Sequence, residues 1–268
     1  MLEEVLSSLA VLALLFGSAG IGMVAAARLP ERHQTRETIE LMQLTIGLLV
    51  TFAAIVLGLL TASVKQSYDA TAHDRQEYAL QLTWLYQCLE DFGPETDGAR
   101  ADIRSYTAAV IASTWPSEPP PASVEYPNTA GMPRLGAEPK LRTLIDRVGI
   151  EIAQLAPSDA THAKMADLCL DRYKSVSHAR INVIEDARGD LIDPFYVVLV
   201  FWLMVIFGCS GLVAPRHSLS IITIVLAAVS LSTVIFVVLD LSHPYGGFFS
   251  IPSTTMRTAL ASMSSPAP

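Results

Sequence analysis

Four stretches of this 268-residue chain hold no Lys, Arg, Asp, Glu or His: Val5–Ala27, Leu41–Val64, Phe195–Val213 and Leu219–Leu239. The absence of charge over about twenty consecutive apolar residues excludes an ordinary surface helix, and that length crosses a bilayer core as a helix. Catalytic signatures are missing too. There is no HExxH, no Gly-rich phosphate loop, no GxSxG and no Cys/His zinc spacing, so an enzyme is not expected and neither metal nor cofactor is called for. The spans also lack the intramembrane ionisable groups that usually mark proton coupling. No basic cluster suits anionic lipid. Cysteine is scarce, three in all, and strand-type alternation is absent.

The charge sits between the second and third runs. Residues 65–192 carry 13 Lys/Arg against 19 Asp/Glu, which accounts for six of the chain's eight net negative charges. An acidic insert of this kind does not suit phosphate backbones, so nucleic acid is excluded as a partner. Membrane lipid is the implied one.

The first span follows an acidic Met1-Leu2-Glu3-Glu4 and is 23 residues long. Both features fit a retained span better than a cleaved leader, which has a basic start and a shorter apolar stretch. Span 1 is rich in small residues. Ser18 and Gly22 form a small-xxx-small pair, which serves either packing within the four helices or a homo-oligomer contact.

From Arg36 to Phe92 there is no proline, and the only glycines, Gly47 and Gly58, lie inside the apolar run. Thr35 stands in a capping position with Glu37 in the first turn. The spacing therefore predicts one helix over 36–92. Apolar residues at three and four predict further helices over 96–115, 138–156 and 159–188. Six prolines make 116–136 a linker. Gly189 reads as a stop and Asp193-Pro194 as a restart. After span 4, Pro244-Tyr245-Gly246-Gly247-Phe248-Phe249 suits a headgroup zone, with a short helix near 254–261 and a loose tail.

The expected fold is an all-α membrane protein: four transmembrane helices with an elongated helical extramembrane insert between helices 2 and 3. Its parts are helices 1 and 2 over 1–64, the insert over 65–192, helices 3 and 4 over 193–241, and an interfacial segment and tail over 242–268.

Arg28, Arg32, Arg36 and Arg216 occupy the two short loops, against Arg257 alone on the other side. By the positive-inside rule these loops are cytoplasmic, and the insert and both termini are periplasmic in a bacterial inner membrane. Cys88 lies 23 residues after Lys65, and Cys169 lies 23 residues before Ile192. In an antiparallel pair of helices both thiols reach the same height. They are either two small core residues or, in an oxidising compartment, a disulfide. Asp69, His73 and Glu77 share one helical face, and the returning helix brings Glu185 and Asp186 to similar height. This set is either a polar vestibule able to hold a divalent cation or a solvated face with ion pairs to Arg75, Arg180 and Arg188.

Several segments carry a family likeness: Gly47-Leu48-Leu49-Val50-Thr51 through Gly58-Leu59-Leu60, Lys65-x-x-Tyr68-Asp69, Gly211-Leu212-Val213-Ala214-Pro215-Arg216, and Asp240-x-x-x-Pro244-Tyr245-x-Gly247. In this order they resemble the bacterial bestrophin-like domain family. The resemblance implies a membrane protein related to bestrophins, which are pentameric anion channels with a cytosolic helical domain. An aromatic-lined neck is not recognisable in the four spans. The expected function is therefore a non-catalytic scaffold or sensor with a helical stalk. The alternative is a homo-oligomeric anion channel lined by Thr45, Thr51, Thr61, Thr223, Ser230 and Thr233.

Overall fold

The computed structural model describes residues 2–28, 30, 35–132, 139–157, 159–186, 193–215 and 217–264. Among them every regular element is helical: α1 (Leu2–Arg28), α2 (Arg36–Phe92), α3 (Asp97–Thr114), α4 (Pro139–Ala153), α5 (Ala160–Asp186), α6 (Asp193–Val213), α7 (Ser218–Leu241) and α8 (Thr254–Ser262), with a 3₁₀ turn at Pro94–Thr96. The protein is an all-α membrane protein in which α1, α2, α6 and α7 are long and apolar enough to cross a bilayer. The expected stop at Gly189, the loop residues Arg32 and Arg216, and Arg188 lie outside the described residues.

Two compact units form, one from 1–68 with 190–250 and one from 69–189 with 251–268. In the first, α1 packs along α6. Small residues allow this: a Cβ at Gly22 would collide with the Gly208 carbonyl, and one at Gly211 with the Ala19 carbonyl. The Ser18–Gly22 pair thus faces α6 of its own chain, and Ser18 Oγ donates to the Met204 carbonyl. Ser232 Oγ donates to the Ser8 carbonyl at 2.9 Å, tying α7 to α1. Leu15, Leu199, Leu203, Ala228 and Ile235 fill the core. Hydroxyls along α2 bond to the preceding turn, Thr45 to Leu41 O and Thr51 to Gly47 O, each at 2.9 Å. Polar side chains are thereby satisfied within an apolar helix.

In the second unit the distal part of α2 contributes Tyr78, Leu82, Leu85 and Leu89, all essentially inaccessible. Ile103, Tyr106, Val110 and Ile111 of α3, Leu141, Ile145 and Val148 of α4, and Val176 and Val183 of α5 are buried in the same unit. The helix ends because Gly93 adopts φ +124°, a conformation suited to glycine. Thr96 Oγ1 then caps the Leu89 carbonyl at 2.5 Å. Residues 115–132 form neither helix nor strand.

The segment over 242–268 is expected to be an interfacial segment followed by a tail. Contacts divide it at Ile251: from there the chain belongs to the second unit, with Met256, Leu260 and Met263 buried. These residues recur at four and three, an apolar stripe along a nine-residue helix and its C-cap Met263 that needs a partner surface.

Candidate functional site

The predicted vestibule residues divide by accessibility. Asp69, His73 and Glu185 are exposed, whereas Glu77 and Asp186 are half-buried. Glu77 accepts a hydrogen bond from Gln81 Nε2 at 2.6 Å. Asp186, the last described residue of α5, meets Asp74. Burial first, then the hydrogen bond and negative charge of Asp74 and the charge of Glu185, push the Asp186 carboxyl up to about 6. No group of three His, Cys, Asp or Glu is arranged to hold a metal among the described residues.

Sequence reasoning placed Arg75 on a solvated, ion-paired face. The structure buries it, 1% exposed, with its guanidinium 5.0 Å from the centre of the Trp115 ring. A stacked, delocalised cation tolerates such a site better than an ammonium would. Beside it, the Tyr78 and Tyr106 hydroxyls are 2.5 Å apart, and Arg180 Nε donates to Tyr106 Oη at 3.1 Å. Burial pushes both phenols above their ordinary range, Tyr78 the further. This buried polar cluster joins α2, α3 and α5 and was missed in the sequence. Its partners lie 28 and 74 residues apart, and no local pattern marks such pairs.

The tail is latched by a second set of long-range bonds. Trp115 Nε1 donates to the Ile251 carbonyl at 2.7 Å. The Glu118 carboxylate accepts from the Ser253 amide, from Ser253 Oγ and from Arg257 Nε. Arg257 also donates to the Pro119 carbonyl at 2.7 Å. Burial raises the Glu118 carboxyl, but these donors outweigh it and leave the group below the usual carboxylate range.

Cys88 and Cys169 are joined in a disulfide, Cα to Cα 5.6 Å, linking α2 to α5. Both are buried, at 8% and 0% exposure.

The hydroxyls proposed for a pore lie in the membrane helices. Thr45, Thr51, Thr223, Ser230 and Thr233 are exposed, and Thr61 is half-buried. The apolar part of α2 is left bare: 6% of its span is buried, against 22–28% for the other three. Leu44, Leu48, Phe52, Ile55 and Leu59 are all at least 49% exposed. Nothing lies within 4 Å of a Cβ placed on Gly47 or Gly58.

The fold has solved counterparts. A point variant of a bacterial bestrophin homologue from Klebsiella pneumoniae matches with a TM-score of 0.67 at 13% identity, over 97% of this chain and 96% of that one. A second variant of that homologue gives 0.67 at 15% identity, over 93% and 96%. A further membrane-protein crystal structure gives 0.67 at 14% identity, over 95% and 97%. At these identities the likeness is one of fold. No curated protein sequence matches significantly. The profile of the Bestrophin-like domain matches residues 13–256, and the chain belongs to that family of membrane proteins.

Proposed function

We propose that this protein is a homo-oligomeric membrane channel for small anions, lined by the exposed face of α2. One observation carries the reading: the apolar part of α2 has few partners in its own chain, with only 6% of the span buried. A helix with one bare apolar face, two open glycines and exposed threonines suits close assembly around an axis. Leu44, Leu48, Phe52, Ile55 and Leu59 recur at three and four on that face. They supply an apolar constriction of the kind that gates by dewetting. Family membership favours the channel over the scaffold or sensor expected from the absent neck. No catalytic step is assigned. Planar-bilayer recording on purified protein tests the proposal. Currents reversing near the chloride potential support it. Silence at every voltage from a protein that purifies as a monomer overturns the pore, and reversal at the cation potential overturns the anion assignment.

The same reading puts the insert and both termini in the periplasm of a bacterial inner membrane. The paired Cys88 and Cys169 support this, since structural disulfides persist in oxidising compartments. The polar residues Asp69, His73, Glu77, Glu185 and Asp186 then stand on the periplasmic side as a candidate vestibule. Membrane-impermeant thiol labelling of intact cells, in a Cys209→Ala background, checks the side. Labelling only after reduction supports it. Labelling only after lysis, without reductant, puts the insert in the cytoplasm.

A further inference from the structure

The last turn of α7 ends in a buried carboxylate with a defined task. Asp240 is 1% exposed. Its Oδ1 accepts the Phe248 amide at 2.6 Å and its Oδ2 accepts the Phe249 amide at 2.7 Å. Two amide bonds to one carboxylate fix the backbone of a loop eight and nine residues downstream, and such charge-assisted bonds are strong. Gly247 is part of the clamp: a Cβ there would stand 2.6 Å from Asp240 Oδ1. Tyr245 packs inward at 9% exposure.

This clamp holds two phenyl rings away from the protein. Phe248 is 70% exposed and Phe249 47%, with their rings edge to face at 5.9 Å between centroids. A rigid loop that displays two adjacent phenylalanines has no rationale in water, where exposed aromatic surface is unfavourable. The rings follow a few residues after α7, the most apolar of the four spans. The apolar surface of α7 is itself a lipid-facing surface, and the Phe pair continues it past the point where the helix ends. The Phe248 and Phe249 amides are satisfied by Asp240, so neither enters the interface as an unpaired donor.

We propose that Phe248 and Phe249 form a lipid anchor, inserted at the boundary of headgroups and acyl chains beside the end of α7 and held in position by Asp240. The occupant is the bilayer itself. The inference does not depend on the channel reading. It fixes the depth and rotation of α7, in the way interfacial aromatics set the seating of membrane helices.

The test uses the full chain reconstituted in phosphatidylcholine vesicles, in a Cys209→Ala background that leaves the Cys88–Cys169 disulfide intact. A nitroxide is attached at F248C and, in a second sample, at T254C on the exposed surface of α8. Membrane-soluble oxygen should relax the Phe248 site more strongly than a water-soluble nickel complex does, and the order should reverse at Thr254. Greater nickel access at 248 overturns the proposal, because the loop then lies in water. Exclusion of both reagents at 248 overturns it too, because protein then covers the ring. Asp240→Asn should broaden the range of depths and mobilise the label at 248. An unchanged spectrum removes Asp240 from the anchor.

Discussion

The two parts of α2 differ in what surrounds them, although one uninterrupted helix of 57 residues carries both. In its distal part, Tyr78, Leu82, Leu85 and Leu89 are 0–1% exposed and enclosed by helices of the same chain. In its apolar part, Leu44 and Leu59 are 74% and 67% exposed, and only 6% of the span is buried. The glycines show the same contrast within the membrane helices. Gly22, Gly208 and Gly211 sit where α1 and α6 touch and leave no room for a methyl group, or, at Gly208, very little. Gly47 and Gly58 face open space. A helix that shows small residues to its own chain has found its partner. A helix that shows them to nothing in its own chain is suited to meet lipid or another copy.

Substituting the two kinds of glycine should give the largest separation. Gly22→Leu drives a side chain into the backbone of α6, and overpacking by even a few methylenes costs about 1–3 kcal/mol or more. We expect loss of folded protein, measured as recovery of a monodisperse peak in detergent. Gly47→Leu should leave folding intact and lower the oligomer fraction and the conductance. If Gly47→Leu also destroyed the fold, the bare face would have an intrachain partner and the contrast would fail.

The disulfide sharpens the comparison from the other unit. Cys88 and Cys169 close a loop with a sequence separation of 81. In the chain-entropy model such a link contributes about 4 kcal/mol. The Cys88→Ala, Cys169→Ala double variant should show faster amide exchange across α3, α4 and α5, with exchange in α1 and α6 unchanged. A uniform effect across all helices would mean that the two units unfold together.

Much of this organisation was legible in the sequence because it is local. The expected helix over 36–92 matches α2 at both ends, and the expected 159–188 corresponds to α5 at Ala160–Asp186. Uncharged runs, proline gaps and three-four spacing are properties of neighbouring residues. The tail was not legible in the same way. Trp115 to Ile251 and Glu118 to Ser253 join residues 135 or more positions apart. The short helix near 254–261 was visible, but not the surface that Met256, Leu260 and Met263 are buried against. Likewise Asp69, His73 and Glu77 share a face by spacing, but the meeting of Asp74 with Asp186 depends on the register of α2 against α5, which spacing does not give.

A smaller loss is expected at the buried tyrosine pair. Tyr106→Phe removes the hydroxyl that meets both Tyr78 and Arg180. A hydrogen bond to a charged group contributes about 1.5–3 kcal/mol, and an orphaned buried donor adds to the loss. Chemical denaturation followed by tyrosine absorbance should register a drop of about 2 kcal/mol in the second unit. A drop equal to that of Tyr126→Phe, at a half-buried residue of the linker, would show that the pair does not matter.

The smallest effect is a pH dependence at Asp186. Its carboxyl is raised to about 6 in the folded protein, against an ordinary aspartate value of 3.8, chiefly by burial and then by Asp74. Below the ordinary value the group is protonated whether folded or unfolded, so it has no effect. Between about 4 and 6 the folded state holds a proton that the unfolded state has released, so stability falls as pH rises. Above about 6 both states are ionised and the penalty is complete. The residue is half-buried and water still screens part of the interaction, which holds that penalty to about 1 kcal/mol. Asp186→Asn should therefore be more stable than the parent at pH 7.5, by about that amount, and no more stable at pH 4. A stability gain that is the same at both pH values would mean that Asp186 acts through packing rather than charge. It would leave the base of the second unit without its electrostatic contrast to the uncharged membrane helices.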